Sequence, residues 1–365
     1  MKIFAFYLPQ YHSIPENDAW WGEGFTEWTN VRKARPLCIH HNQPRVPYGQ
    51  NYYNLLDKKT LIWQSDLMKK YKIDGLCFYH YWFSGRKILE KPAEQLLKNP
   101  EIHIPFFFSW ANEPWTRSWD GLNQDVLLEQ TYGERQDWID HFNYLLPFFK
   151  DERYIKHNGH PIFVLYRSAS FDLCDEWIKC WRELAFLNHL GDIHFVTSLT
   201  SFETDSRELD FDAQLYFEPM NTTAHYMHNY KRNRIEKLRK KASNITNKMF
   251  GYSKKIQSFD YNAAWEEILK KPLNTRTYAG AFIDWDNTAR KGIKGSIAKN
   301  ANPLNFRKNF KILYKNALDT NTPYIFINAW NEWAEGTYLE PDTKHEYGYL
   351  EAIEETVTEY QAIEK

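Results

Sequence analysis

The chain has 365 residues, 43% of them hydrophobic, which is enough for a sizeable core and a normal length for one α/β barrel with insertions. Its formal net charge is −1, which excludes a bulk nucleic-acid binder, because that class carries a strong basic excess. The four cysteines, Cys38, Cys77, Cys174 and Cys180, have no CxxC spacing and read as free thiols.

Eight short apolar runs rich in strand formers recur along the chain. They are 3–8, 75–82, 104–110, 161–166, 193–198, 213–217, 278–283 and 324–330. Helical patterns lie between them. Residues 57–71 open on the capping residue Asp57, and 88–98 is a short pattern containing Pro92. In 134–149, Trp138, Ile139, Phe142, Leu145 and Leu146 recur at three-and-four spacing, and Trp177, Ile178, Trp181, Leu184 and Leu187 do so in 172–190. Two further patterns cover 306–318 and 349–363. Strands alternating with helices imply a parallel sheet, and eight repeats imply a closed (β/α)8 TIM barrel in a single domain over 1–365.

Two stretches exceed the minimal barrel. Residues 17–54, after the first strand, form a long loop rich in Trp, Gly, Pro and His, and loops of that length are usually functional. Residues 221–262, after the sixth strand, form an insertion whose part 231–255 is strongly basic. It reads as a solvated insertion, or as an arm for peripheral contact with an anionic membrane or a phosphate-bearing lipid carrier. The first apolar run ends at Pro9-Gln10 before any small-residue cleavage site, and no run of about 18 apolar residues is present. The expectation is a cytoplasmic enzyme.

In a (β/α)8 barrel the active site lies at the C-terminal ends of the strands. Polar and aromatic residues collect there in this sequence. In strand order they are Tyr11 and His12; His80, Tyr81 and Trp82; Trp110, Asn112, Glu113 and Trp115; Arg167; Glu218; Asp284, Trp285 and Asp286; and Asn331, Glu332, Trp333 and Glu335. Aromatics make up 17% of the chain, with 15 Trp, many beside Asn, Glu, Asp or His. Rings next to hydrogen-bonding groups suit sugars, whose C–H faces are apolar and whose rims are polar. Asp284-Trp285-Asp286 has the Asp-x-Asp form of some divalent-metal sites, but hydrogen bonds to sugar hydroxyls fit it better. His12 and His80 are read as substrate contacts, and no metal or cofactor is expected.

Glycosidic chemistry needs two carboxyl groups, one to protonate the leaving oxygen and one to act as nucleophile or base. Glu332 and Glu335 are three residues apart. On an extended strand they would face apart, about 10 Å along the chain. On a tight turn they would share a face, with Cβ atoms roughly 5–6 Å apart. Gly336 after the pair favours the turn, and close carboxyl groups go with retention of configuration. The alternative is an acid-rich helix N-terminus in a glycan-binding barrel without catalysis.

The segment 331–341, Asn-Glu-Trp-Ala-Glu-Gly-Thr-Tyr-Leu-Glu-Pro, resembles the WbsX-type proteins of bacterial polysaccharide loci, often called glycosyltransferases and related to glycoside hydrolase family 99, the endo-α-mannosidases. Segments 4–12, 20–30, 43–47, 78–82, 110–115 and 284–288 match WbsX proteins in order along nearly the whole chain. The hydrolase match is narrower, resting on the last segment and His80-Tyr81. Trp28 and Glu340, which lie in these segments, join the expected substrate-binding set. The resemblance implies a (β/α)8 barrel. It also implies that Glu332 assists the sugar's own 2-hydroxyl in displacing the leaving group, through an anhydro-sugar intermediate, and that Glu335 is the acid/base. Ala334 departs from the hydrolases, which carry His there. The implied activity is retaining chemistry at a glycosidic bond in O-antigen, lipopolysaccharide or capsule metabolism. The substrate would be a glycan or sugar nucleotide, acted on by glycosyl transfer or, alternatively, by endo-glycosidic hydrolysis.

Overall fold

The computed structural model describes residues 1–116, 126–201, 211–227 and 256–363. The eight barrel strands are β1 (Lys2–Tyr7), β2 (Gly75–Phe83), β3 (Phe106–Trp110), β4 (His160–Leu165), β5 (His194–Leu199), β6 (Ala213–Tyr216), β7 (Thr277–Phe282) and β8 (Tyr324–Asn328). Each coincides with one of the eight apolar runs. Around the ring the order is β1-β8-β7-β6-β5-β4-β3-β2, and β2 pairs back onto β1. Phe4 of β1 sits opposite both Phe326 of β8 and Gly75 of β2, and both pairings are parallel. The sheet is therefore closed, as the eightfold repeat required.

Helices α1 (Lys58–Lys70), α2 (Lys91–Lys98), α3 (Arg135–Lys150), α4 (Cys174–Leu187), α5 (Tyr261–Ile268), α6 (Pro303–Asp319) and α7 (Gly348–Ile363) accompany the strands. The Asp57 carboxylate accepts from the Lys59 amide and caps α1. The pattern expected from residue 88 starts later. Arg86–Ile88 pair antiparallel with the end of β2, and α2 begins at Lys91 with Pro92 in its first turn. Proline is tolerated there because its missing N–H has no intrahelical partner anyway.

Aromatic side chains fill the barrel. Phe4 packs edge-on against Phe107 and Phe326 at 5.0 and 5.6 Å, and Phe6 against Phe217 at 4.9 Å. Outside the sheet, Trp177 and Trp181 of α4 pack at 4.7 Å from each other. Such pairs contribute roughly 0.5–1.5 kcal/mol beyond the area they bury. Gly280 of β7 lies so close to β6 that a Cβ would come within 1.8 Å of the Tyr216 carbonyl oxygen. Gly280→Ala is expected to force the two strands apart and cost at least about 1–3 kcal/mol. The denaturation midpoint measures this; an unchanged midpoint would mean that the strands separate freely.

The loop after β1 carries two short helices, Pro15–Trp21 and Glu27–Lys33. Its far end is pinned across the barrel mouth, with the Tyr48 amide donating to the Pro341 carbonyl and the Thr343 amide to the Val46 carbonyl. The basic stretch 231–255 lies outside the described residues. None of the four cysteines is in a disulfide bond. Among the described residues, no helix is long and apolar enough to cross a membrane.

Candidate active site

β8 ends at Asn328, and the chain then makes a small hairpin. Asn331–Glu332 pair antiparallel with Thr337–Tyr338, and Trp333–Glu335 between them form one 3-10 turn. Glu332 stands just before this turn and Glu335 ends it, and both side chains reach the same guanidinium, that of Arg290. Gly336 closes the turn at φ 66, a left-handed conformation that disfavours a side chain. A Cβ there would also come within 2.8 Å of the Asp286 Cβ.

Asn331 fastens the hairpin to the opposite end of the chain. Its amide oxygen accepts from the Leu8 N–H at 2.8 Å, and its amide nitrogen donates to the Leu8 carbonyl at 3.0 Å. Behind it, the buried Glu340 carboxylate accepts from Trp330, Trp333, Tyr53 and Gln64 at 2.7–3.0 Å. Burial pushes Glu340 up to about 7 against those four donors. Trp333 also stacks on Tyr338 at 3.8 Å, which fixes the turn from below.

Arg290 occupies the space between the acids. Its Nη2 donates to Glu332 at 2.8 Å, its Nη1 to Glu335 at 2.6 Å and its Nε to Glu27 at 2.8 Å. One guanidinium thus gathers three carboxyl groups from two separate stretches of chain. Glu27 is fully buried and Glu332 is 5% exposed. Burial pushes Glu332 up to about 8; Arg290 opposes that shift, while Glu335 and Glu27 add to it. Burial raises Glu27 as well, and there too Arg290 opposes.

The pair opens onto a cavity of about 410 Å³ at the C-terminal ends of the strands. Of the residues expected at the site, Tyr81, Glu113, Trp115, Arg167, Trp285, Glu332 and Glu335 line it. Gln10, Trp21, Tyr79, Tyr166, Phe217, Met220, Asn287, Arg290 and Lys291 line it too. Burial, followed by the charge on Glu332, raises the Tyr79 and Tyr81 phenols, which stay neutral hydrogen-bond donors. The cavity therefore has aromatic walls, polar donors and a converging acid pair, a combination able to hold a sugar ring and to move protons on it.

The other expected residues stand behind this wall. His80 Nε2 meets His141 Nε2 at 2.8 Å, and Trp82 stacks on the same His141 at 4.5 Å, so both face α3. Trp110 reaches the Trp82 carbonyl through its indole N–H. Asn112 bridges the Tyr132 hydroxyl and the Arg167 backbone. Glu218 is buried in an ion pair with Lys271. Asp284 accepts from Arg45 at 2.9 Å, and Asp286 accepts from both His41 and Gln43 at 2.9 Å. Burial would raise Asp286, but the hydrogen bond from His41 and the charge of Arg45 outweigh it and hold it near about 2. These two acids therefore secure the loop after β1. Tyr11 bonds the Asn331 carbonyl, and Trp28 donates to the Tyr53 carbonyl. His12 is buried, and burial together with Lys91 pushes it down to about 4. Asn331, Trp333 and Glu340 brace the hairpin, as described.

A family model described as "Glycosyltransferase WbsX" matches residues 3–353. The chain belongs to the WbsX family. This WbsX chain is 34% identical over 361 residues to the "Uncharacterized protein WxcX" of Xanthomonas campestris pv. campestris (strain B100). The alignment takes in 98% of the chain and 49% of that protein, so the chain spans about half the length of the curated relatives it matches. Among solved structures, it is similar to the GH99 endo-alpha-mannosidase from Bacteroides thetaiotaomicron in complex with BIS-TRIS-propane. That likeness has a TM-score of 0.58 at 16% identity, over 99% of this chain and 98% of that one. A "Glycoside hydrolase-like protein" aligns with TM-score 0.57 at 11% identity, over 97% and 93%. At these identities the likeness shows the fold, the (β/α)8 barrel.

Proposed function

We propose that this WbsX protein is a carbohydrate-active enzyme that works on a glycosidic bond with retention of configuration, using Glu332 as base and Glu335 as acid/base. The observation that carries this reading is the convergence of the two carboxyl groups on one guanidinium at the floor of an aromatic-walled cavity. Retaining chemistry needs two carboxyl groups close together, whereas inverting pairs leave room for a water at about 6.5–9.5 Å.

Following the resemblance of the 331–336 segment, Glu332 takes the proton of the donor sugar's 2-hydroxyl. That oxygen then displaces the leaving group from the anomeric carbon, and Glu335 protonates the departing oxygen. In the second half, Glu335 takes the acceptor's proton, the acceptor attacks the anomeric carbon and breaks its bond to O2, and Glu332 returns its proton to that oxygen, which restores the 2-hydroxyl and the original configuration. Cavity residues such as Tyr81, Glu113, Trp115, Arg167 and Trp285 would hold the sugar rings. A sugar acceptor gives transfer and water gives hydrolysis. The family's description supports transfer; the setting proposed from the sequence resemblance is the assembly of bacterial surface polysaccharide such as O-antigen or capsule.

The test is product analysis with a panel of nucleotide sugars and bacterial polysaccharides, reading anomeric configuration by NMR. Retained products are expected; inverted ones would exclude the mechanism. A second expectation concerns pH. With Glu332 pushed up to about 8, kcat/KM should climb up to about tenfold per pH unit between about pH 6 and about pH 8 as the base loses its proton. A flat profile over that interval would rule out Glu332 as base.

A further inference from the structure

The guanidinium that joins the two acids has a third ligand for which the mechanism has no use. Glu27 comes from the first turn of the short helix Glu27–Lys33 in the loop after β1. It is fully buried, does not line the cavity, and accepts from Arg290 Nε at 2.8 Å. The local fold holds it there: Thr26 and Thr29 cap the helix in a reciprocal pair, and the Glu27 amide donates to the Gln10 carbonyl at 3.0 Å. A guanidinium is planar and rigid, so gripping its Nε edge orients both terminal nitrogens at once. We propose that Glu27 is a positioning residue: by holding the Nε edge of Arg290 it divides the two terminal nitrogens between Glu332 and Glu335, and by sharing the single positive charge it sets how readily Glu332 gives up its proton.

The proposal rests on the acid-pair reading above, but its test needs no substrate. Three carboxyl groups share one cation, so removing any one of them leaves more of that cation's field for the other two. The charged and titratable groups facing Glu332 are Arg290, Glu335 and Glu27, with Tyr11, Tyr79, Tyr81 and Tyr166 around them. Among these, Glu27 is the acid outside the cavity wall whose replacement leaves the cavity surface as it is.

The experiment follows the Glu332 carboxyl by NMR in full-length protein labelled with [13Cδ]glutamate, the signal being assigned by its loss in Glu332→Gln. Glu27→Gln keeps the shape and removes the charge. It is expected to lower the Glu332 midpoint by about half to one pH unit, a change of about threefold to tenfold in its ionisation constant. Glu27→Asp shortens the reach to Nε and is expected to move the midpoint the same way by less, which keeps the test available should one variant fail to fold. A merely structural Glu27 would lower the melting temperature and leave the midpoint where it is in wild type. That result, in whichever variant folds, would overturn the proposal. Retained turnover in Glu332→Gln would instead overturn the acid-pair reading and leave the titration result standing.

Discussion

Glu332→Gln and Glu335→Gln are each expected to reduce turnover by about 10²–10⁴-fold, the usual range for a general acid or base. Each amide is nearly isosteric with the acid it replaces, so the Arg290 cluster keeps its shape while losing a group that exchanges protons. Glycan binding should survive, because the aromatic walls formed by Tyr81, Trp115 and Trp285 are untouched. The double variant should be little worse than the poorer single one, since residues that act as a unit are not additive. Turnover and binding, measured separately, decide the matter. Variants that turn over at the wild-type rate would remove the pair from the chemistry and favour a barrel that only binds glycans.

Arg290→Met should have the largest effect on stability. It removes the one cation shared by Glu27, Glu332 and Glu335. Breaking a buried ion pair by deleting one partner costs about 3–5 kcal/mol, because a buried charge is left uncompensated. The direction of the pH dependence follows from the raised carboxyls. A carboxyl whose folded pKa lies above its ordinary value of 4.5 contributes stability that is fully present below that value and is lost as pH rises through the folded value. Without Arg290 the folded values of Glu27 and Glu332 rise further. The deficit against wild type should therefore be small near about pH 5 and grow towards about pH 9. Denaturant melts across that range measure it, and a deficit of the same size at every pH would show that Arg290 acts by packing alone.

The fold was legible because both of its periods are written in the chain. Trp138, Phe142, Leu145 and Phe149 mark one face of α3, and all four are buried. The site was legible only in part, and strand geometry explains which part. Side chains alternate across a strand, so of two polar neighbours at a strand end one faces the lumen and the other the helices. Tyr79 and Tyr81 line the cavity, while His80 and Trp82 meet His141 of α3. Polarity announced the strand end but not the parity. Arg290 and Glu27 were missed for another reason. They are 263 positions apart, each on a short helical segment outside the barrel strands, and ion pairs of that kind leave no spacing for a sequence pattern to register. The surplus of buried acids near one another, Glu27 beside Trp28 among them, was the available signal, since such a group requires a cation somewhere.

The clasp between Asn331 and Leu8 bears on how the protein comes into being. It joins positions 323 apart, and it lies where β8 zips against β1. A growing chain that has not yet released its eighth strand keeps β1 and β7 as bare sheet edges, which invite association with other chains. It also has neither Glu332 nor Glu335 to set against Arg290. Ring closure and the arrival of the acid pair are one event, so a ribosome-bound fragment of this barrel is sticky before it is complete and lacks the acid pair until then.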